Sequence, residues 1–209
     1  MANITVKHLI DQVAELLQDE GFVDWEETKL VEWYNISARQ VVVAAPAANI
    51  VIEPVKLASG VKQSLPSTSL ELVRVVRNMG TDGETPGGAV TGTTIDMIQC
   101  YNRNWNTETA TTAIKHAMRE QDGFWYCYPP SDGTGYVEIE SSKVPTLISW
   151  DENGAWESAL VGIDDKYLIP LMHLIMFYAY SKDTDFPGSE DRATKHFGLF
   201  TAGVGGQSK

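Results

Sequence analysis

The sequence predicts an α+β protein that is mainly helical, with a β-rich region inserted between two pairs of helices. Apolar residues recur at helical spacing over residues 1–46 and 157–203, and each predicted helix has one apolar face to bury. Over residues 47–156 the apolar period shortens to two, and turn dipeptides separate the runs. We therefore predict a four-helix-type bundle made from the N- and C-terminal helix pairs, with the middle region as a β-rich wing. Residues 204–209 are rich in glycine, and we expect them to form a flexible tail.

The first helix pair has recognisable start and stop signals. Thr5 is a predicted N-cap for a helix over residues 6–19, and Gly21 is its predicted stop. The second helix is predicted over residues 25–44. It ends before Pro46 because the residue that precedes a proline avoids the helical region.

The middle region reads mainly as strands and turns. Three runs with β-type alternation are predicted strands: residues 50–57, 61–65 and 136–141. Residues 69–77 fit either a turn of helix or a strand. Residues 114–118 could belong to a helix, but we favour a hairpin with residues 124–128, because Phe-Trp-Tyr-Cys-Tyr is β-prone. The glycine-rich residues 78–92 are predicted to be a loop.

The last quarter of the chain predicts the second helix pair. Pro170 fits the first turn of the third helix, where its missing N–H costs little. One face of that helix is formed by Leu171, Leu174, Ile175, Tyr178 and Lys182. Ser189 is the predicted cap of the last helix, in which Ala193, Phe197 and Phe200 line the side that faces the third helix or a partner.

Composition excludes several classes of protein. The 209 residues are 43% hydrophobic and carry a formal net charge of −12, so a basic surface for nucleic acid is not expected. The two cysteines, Cys100 and Cys127, are too few for a disulfide scaffold or a zinc site, and we predict free thiols. The chain lacks a signal-peptide pattern and an apolar stretch of membrane-spanning length. We expect a soluble protein without a cofactor or metal, made in a reducing cytoplasm.

One pair of residues leaves an enzymatic alternative open. Glu138 and Glu140 would lie on one face of a strand, about 7 Å apart, which is within the carboxylate separation of glycosidases. Three aromatic residues near them in sequence could stack a sugar: Trp125, Tyr126 and Tyr136. We favour a solvated strand face and no catalysis. A protein that binds or degrades cell-wall carbohydrate remains the alternative.

Three blocks of sequence occur in an order typical of one known family. The first extends from Thr5 to Pro46, and the second combines VRNMGTDGETPGGAV with FWYCYPPSDGTGYVEIESSKVP. The third contains YAYSKD, from Tyr178, and Arg192-Ala193 before two phenylalanines. Together they resemble the head-to-tail adaptors of tailed phages, of the short-tailed, podovirus-like kind that includes connectors similar to tail tubular protein A. The resemblance covers nearly the whole chain.

This resemblance implies a structural virion protein that is not an enzyme. Such subunits form a ring, of about twelve copies, between the portal and the tail nozzle or tube. The ring extends the DNA channel for genome retention and ejection, and double-stranded DNA passes through it without sequence-specific binding. The protein would be found at the head-to-tail junction of the virion, and in the host cytoplasm during assembly. A tail-completion or tube protein is a second possibility within the same class.

The resemblance also suggests three sets of contact residues. Portal docking is assigned to the C-terminal segment, with Phe200, Val204, Gly205, Gly206 and Lys209 in an extended path. The subunit interface is assigned to Trp33, Tyr178, Lys182, Arg192 and Phe197. A loop that faces the tail is assigned to Asn78, Gly80, Asp82 and Gly83.

Overall fold

The computed structural model describes residues 4–120, 123–182 and 188–206. The chain divides into two compact units: one combines Met1–Asn49 with Val144–Lys209, and the other comprises Ile50–Lys143. Residues 144–156, which we expected in the β-rich region, therefore group with the helices. The Asn35 side chain explains part of this, because it donates to the Ile148 carbonyl at 2.8 Å and accepts from its N–H at 2.9 Å.

Two helices open the helical unit: α1, Val6–Leu17, and α2, Glu27–Ala44. Thr5 caps α1 as predicted, since its hydroxyl accepts the N–H of His8 at 3.2 Å. The predicted stop at Gly21 is wrong, because the left-handed residue that ends α1 is Gln18, with φ of 61°. Helix α2 ends at Ala44, ahead of Pro46 as predicted.

The C-terminal pair consists of α4, Leu168–Lys182, and α5, Ser189–Gly205. Gly188, with φ of 91°, precedes α5, so Ser189 is the first helical residue and not its cap. Helix α5 continues two residues beyond the predicted end of the bundle. Val204 is buried in the core, and this burial keeps the last turn helical where we expected the flexible tail to begin.

The helices α1, α2, α4 and α5 share one hydrophobic core. The fully buried members from α1 and α2 include Val6, Leu9, Ile10, Val13, Val41 and Val42, and those from α4 include Leu171, Leu174, Ile175 and Ala179. Helix α5 contributes Ala193, Phe200 and Val204. The apolar stripes of both helix pairs are therefore buried together.

The β unit contains two sheets, seven strands and a short helix among its described residues. The strands are β1 Ile50–Lys56, β2 Ser59–Ser64, β3 Ser69–Asn78, β4 Thr91–Thr93, β5 His116–Arg119, β6 Phe124–Asp132 and β7 Tyr136–Lys143, and helix α3 is Ile95–Tyr101. One sheet has the order β1-β7-β3 and the other β2-β6-β5-β4. The favoured hairpin is confirmed, because β5 and β6 pair antiparallel. The ambiguous segment at residues 69–77 is a strand.

The unusual strand of this unit is β3. Its buried residues are Leu72, Val75 and Asn78, a period of three, because its register with β7 shifts at three places. Each shift adds a residue to β3, as a bulge does. The apolar residues on the inner sides of both sheets form the core of the unit, with Trp125, Cys127, Val137 and Ile139 nearly inaccessible to solvent.

Candidate interaction surfaces

Helices α4 and α5 pack against each other through aromatic rings. Phe197 of α5 lies between Phe177 of α4 and Phe200, with ring centroids 5.2 and 6.0 Å away. His173 of α4 and His196 of α5 approach to 3.1 Å between their Nδ1 atoms. Phe197 remains 44% exposed, so it combines a contact inside the helix pair with an apolar surface available to a partner.

The same two helices come very close at Gly203. A Cβ added to Gly203 would lie 2.6 Å from Cγ of Pro170, which is inside van der Waals contact. Because Pro170 is a rigid ring in the first turn of α4, the helices can approach this closely only if residue 203 lacks a side chain. The apposition of α4 and α5 therefore depends on one glycine.

We expect Gly203→Ala to lower the free energy of unfolding by about 2 kcal/mol, because the helices must separate to admit the methyl group. The matched control is Gly198→Ala in the same helix, where nothing lies within 4 Å of the added Cβ. That substitution should stabilise the protein by about 0.5 kcal/mol through helix propensity. Urea unfolding curves of the two variants measure the difference, and equal effects would contradict the close approach.

The residues assigned to a subunit interface lie on α2, α4 and α5. The Lys182 ammonium lies 5.9 Å from the Trp33 ring, and the Arg192 guanidinium lies 5.5 Å from the Tyr180 ring. Tyr178 is half-buried beside Phe177. The structure thus pairs Trp33 with Lys182, although 149 positions separate them in sequence, and leaves Lys182 and Arg192 on the surface.

The residues assigned to portal docking fall into a buried group and an exposed group. Phe200 and Val204 are 6% and 7% exposed, so they belong to the core and not to an extended segment. Gly205 and Gly206 are exposed, and the Gly206 N–H closes the helix on the Ala202 carbonyl at 3.0 Å. Lys209 lies outside the described residues. The correction has a simple cause, because a helix that buries Phe200 and Val204 cannot also be an extended tail.

The loop assigned to the tail side is organised by two of its own side chains. Asn78 is buried; its amide donates to the Gly88 and Ile114 carbonyls, each at 2.9 Å, so it is a structural residue and not a surface contact. The Asp82 carboxylate accepts the N–H groups of Glu84 and Thr85, both at 2.9 Å. These hydrogen bonds, with one from the Thr85 hydroxyl, lower the pKa of Asp82 to about 2.

Two glycines of that loop adopt the left-handed backbone conformation that its turns require. Gly80 and Gly83 have φ of 62° and 78°, which are values that favour glycine. Gly83 is buried under the Tyr136 ring, and a Cβ there would lie 3.1 Å from a ring carbon. Of the four assigned residues, only Asp82 is fully exposed, and the exposed surface of the loop continues over residues 84–89.

Glu138 and Glu140 lie on β7 and face arginines of β3. Arg74 forms a bidentate pair with Glu140, with nitrogen–oxygen distances of 2.8 and 2.6 Å. Arg77 lies 2.9 Å from Glu138. The hydrogen bonds and charge of Arg74 lower the pKa of Glu140, although partial burial opposes the shift. A glycosidase needs one carboxyl group with a raised pKa, so Glu140 is unsuited to act as the general acid.

The sequence of the chain matches one known protein family. The family model of the SU10 adaptor protein matches residues 4–209, which include both compact units. The chain belongs to the SU10 adaptor protein family. No curated protein matches the chain.

Membership in the SU10 adaptor family makes this chain a structural adaptor protein of a bacteriophage virion. Within residues 4–120, 123–182 and 188–206, no helix is long and apolar enough to cross a membrane. Over the same residues there is no cluster of three or more His, Cys, Asp or Glu side chains that could hold a metal ion. Cys100 and Cys127 are free thiols, as predicted.

Sequence reasoning missed two features of this SU10 adaptor. Asp19 organises the turn between α1 and α2 by accepting three backbone N–H groups, from Val23, Asp24 and Trp25. A lone aspartate after a helix is a weak signal for such a role. The His173–His196 contact had no sequence signal at all, because its partners lie on different helices and meet only when α4 and α5 pack.

Proposed function

We propose that this chain is one subunit of a ring, of about twelve copies, that joins the portal to the tail nozzle or tube and extends the DNA channel. The observation that carries the proposal is the match of the SU10 adaptor family over residues 4–209. An adaptor at this junction has to bind its own copies and the structures on both sides. The resemblance in three sequence blocks to head-to-tail adaptors supports the same position.

Exposed apolar side chains on the helical unit support assembly into a ring. Large hydrophobic residues there that remain exposed include Leu16, Val23, Ile36, Val43, Leu147, Trp150, Leu160, Ile169, Phe197 and Leu199. We assign the contact between subunits to a surface formed by Trp33, Tyr178, Lys182, Arg192 and Phe197. Contacts of this kind are heterologous: one surface of a subunit binds a different surface of the next. They close into a ring when the rotation between neighbouring copies divides a full turn into a whole number of steps.

The proposed portal contact is the C-terminal end of the chain, where Gly205 and Gly206 are exposed. Gly205 and Gly206 stand beyond the last buried residue of α5, and Lys209 follows them. Phe200 and Val204 are buried against the helical core, so they can contribute only if α5 moves away from α4. On the tail side, Asp82 and residues 84–89 offer the exposed surface of the loop.

The charge of the chain suits passage of DNA. Each copy carries a formal net charge of −12, so a ring is strongly negative. Basic proteins bind DNA because they displace the counterions condensed on its phosphates. A negative channel wall would not displace these ions, so DNA could slide past it. A channel lined by a net positive set of side chains would contradict this part of the proposal.

Native mass measurement of the chain alone, and after mixing with the portal ring of the same phage, tests the ring. We expect a portal complex that gains about twelve copies. A chain that does not bind the portal would contradict the proposal and place the protein elsewhere in the tail. Removal of residues 205–209 should weaken portal binding while the helical unit stays folded.

A charge reversal tests the subunit interface. Lys182→Glu should reduce the number of copies bound to the portal, because Lys182 lies in the proposed interface over Trp33. Lys166→Glu is the matched control, since Lys166 makes the same kind of contact with Tyr167, at 5.1 Å, on the same unit but outside that surface. Equal assembly of the two variants would contradict the assigned interface and leave the portal result unaffected.

A further inference from the structure

Two histidines form a direct contact between α4 and α5. The Nδ1 atoms of His173 and His196 are 3.1 Å apart, and the ring centroids are 5.2 Å apart with the planes tilted by 47°. At this distance one Nδ1 must carry a proton and donate it, while the other accepts with its lone pair. Both rings are half-buried, so water competes poorly for these positions.

Aromatic rings and positive charges lie near this histidine pair. Tyr180 of α4 stacks on His196, with centroids 5.5 Å apart and planes at 21°. The Arg192 guanidinium lies 5.5 Å from the centroid of the Tyr180 ring. On α5, Arg192 and Lys195 place positive charge near His196. In the part of the chain that the structure describes, neither histidine forms an ion pair with a carboxylate.

These surroundings oppose protonation. Burial lowers the pKa of His173. Burial also lowers the pKa of His196, and the charges of His173, Lys195 and Arg192 lower it further. Because both groups favour the neutral form, the folded helix pair binds protons less readily than the separated helices do.

We propose that His173 and His196 form a proton-controlled clasp that holds α5 on α4 and opens when both rings are protonated. The neutral pair has one Nδ1 donor and one Nδ1 acceptor. With a single added proton the pair keeps its hydrogen bond, because one Nδ1 still accepts. After a second proton, two N–H groups and two positive charges face each other, and the contact becomes repulsive.

Opening of the clasp uncovers the apolar side of α5. Ala193, Phe200 and Val204 are buried by the helical core, and all three would reach solvent if α5 left α4. An ordinary histidine has a pKa of about 6.5, and both clasp residues titrate below it. Stability from the clasp is therefore complete above about pH 6.5 and is lost as the pH falls toward the lowered folded-state values. The clasp does not depend on ring formation.

Amide hydrogen exchange of the full chain tests the clasp. Between about pH 7.5 and pH 5, protection factors of α5 amides should fall about tenfold, which is the size of effect expected from the loss of one hydrogen bond. Amides of α1 are the internal reference and should change little. In His196→Gln, whose side chain stays neutral, the fall in α5 protection should become clearly smaller, because only the burial of His173 still opposes protonation. His8→Gln is the matched control, because His8 is exposed on α1 and should leave the fall intact.

Three results would overturn the clasp: α5 protection that does not respond to pH, an equal loss in α1 and α5, or an unchanged response in His196→Gln. Nitrogen chemical shifts of the imidazoles in the unsubstituted protein give a measurement that needs no variant. At neutral pH, one of the two histidines should be the Nδ1–H tautomer and the other the Nε2–H tautomer. Finding both rings in the Nε2–H form would equally overturn the proposal.

Discussion

Replacing Asp19 with alanine is expected to lower the free energy of unfolding by about 3 kcal/mol, because three backbone N–H groups, of which that of Trp25 is buried, lose a charged acceptor. The carboxylate accepts from Val23 at 2.8 Å, from Asp24 at 3.0 Å and from Trp25 at 2.8 Å. Trp25 is itself anchored in the core, where its Nε1 donates to the Ala179 carbonyl at 3.3 Å. Loss of Asp19 therefore weakens the turn that positions the Trp25 side chain in the helical core.

Asp19 also makes the free energy of unfolding depend on pH in the acid range. Burial alone would raise the pKa of Asp19, but the three backbone hydrogen bonds outweigh it and lower the pKa below its ordinary value. Stability from Asp19 is therefore present above about pH 4, the pKa of an unfolded aspartate, and is lost as the pH falls toward the lowered folded-state value. In Asp19→Asn this part of the acid dependence should disappear.

Urea unfolding followed by tryptophan fluorescence measures both effects. Asp24→Asn is the matched control, because it removes the same charge from the same turn, where the Asp24 side chain is exposed. It should change the free energy of unfolding by no more than about 0.5 kcal/mol. Comparable losses in Asp19→Ala and Asp24→Asn would show that net charge, and not hydrogen bonding, sets the stability of the turn.

Gly135→Ala is expected to destabilise the β unit by about 3 kcal/mol, since overpacking against backbone cannot be relieved by a rotamer change. An added Cβ would lie 2.0 Å from the carbonyl oxygen of Thr112. The Gly135 carbonyl in turn accepts the Leu57 N–H at 2.9 Å, so the glycine is held on both sides. The methyl group can be admitted only by moving the turn between β6 and β7.

Thermal unfolding monitored by far-ultraviolet circular dichroism, with hydrogen exchange in β6 and β7, measures this loss. Gly88→Ala provides the control within the same unit, because nothing lies within 4 Å of its added Cβ. We expect the control to stay within about 0.5 kcal/mol of the original protein. A Gly135→Ala variant as stable as Gly88→Ala would contradict the close approach to Thr112.

Strand β3 shows why the sequence left one element ambiguous. Periodicity separates helices from strands because a helix repeats every 3.6 residues and a strand every two. The bulges opposite β7 give β3 a burial period of three, with Leu72, Val75 and Asn78 inside. That period lies between the two standard values, and only pairing with β7 decides that the segment is a strand.

The last helix shows how far sequence spacing predicts which of the proposed interaction residues are buried. Sequence spacing correctly placed Ala193 and Phe200 on one face of the last helix, but it could not say that the core would bury Val204 as well. The assignment of residues 204–209 to a flexible tail rested on glycine content. Burial of a single valine outweighs that preference, because tertiary packing supplies more stability than intrinsic propensity.

By itself the sequence determined the α+β class, the Thr5 cap, the end of α2 before Pro46, the β5–β6 hairpin and the resemblance to phage adaptors. These depend on local periods, on turn chemistry and on the order of motifs, all of which are written along the chain. Tertiary structure alone decided the Asp19 turn, the Arg74–Glu140 pair, the Gly203–Pro170 approach and the His173–His196 contact. Each of these depends on a distance between groups that meet only through folding, and hydrogen bonds, charges and van der Waals contacts all depend steeply on distance.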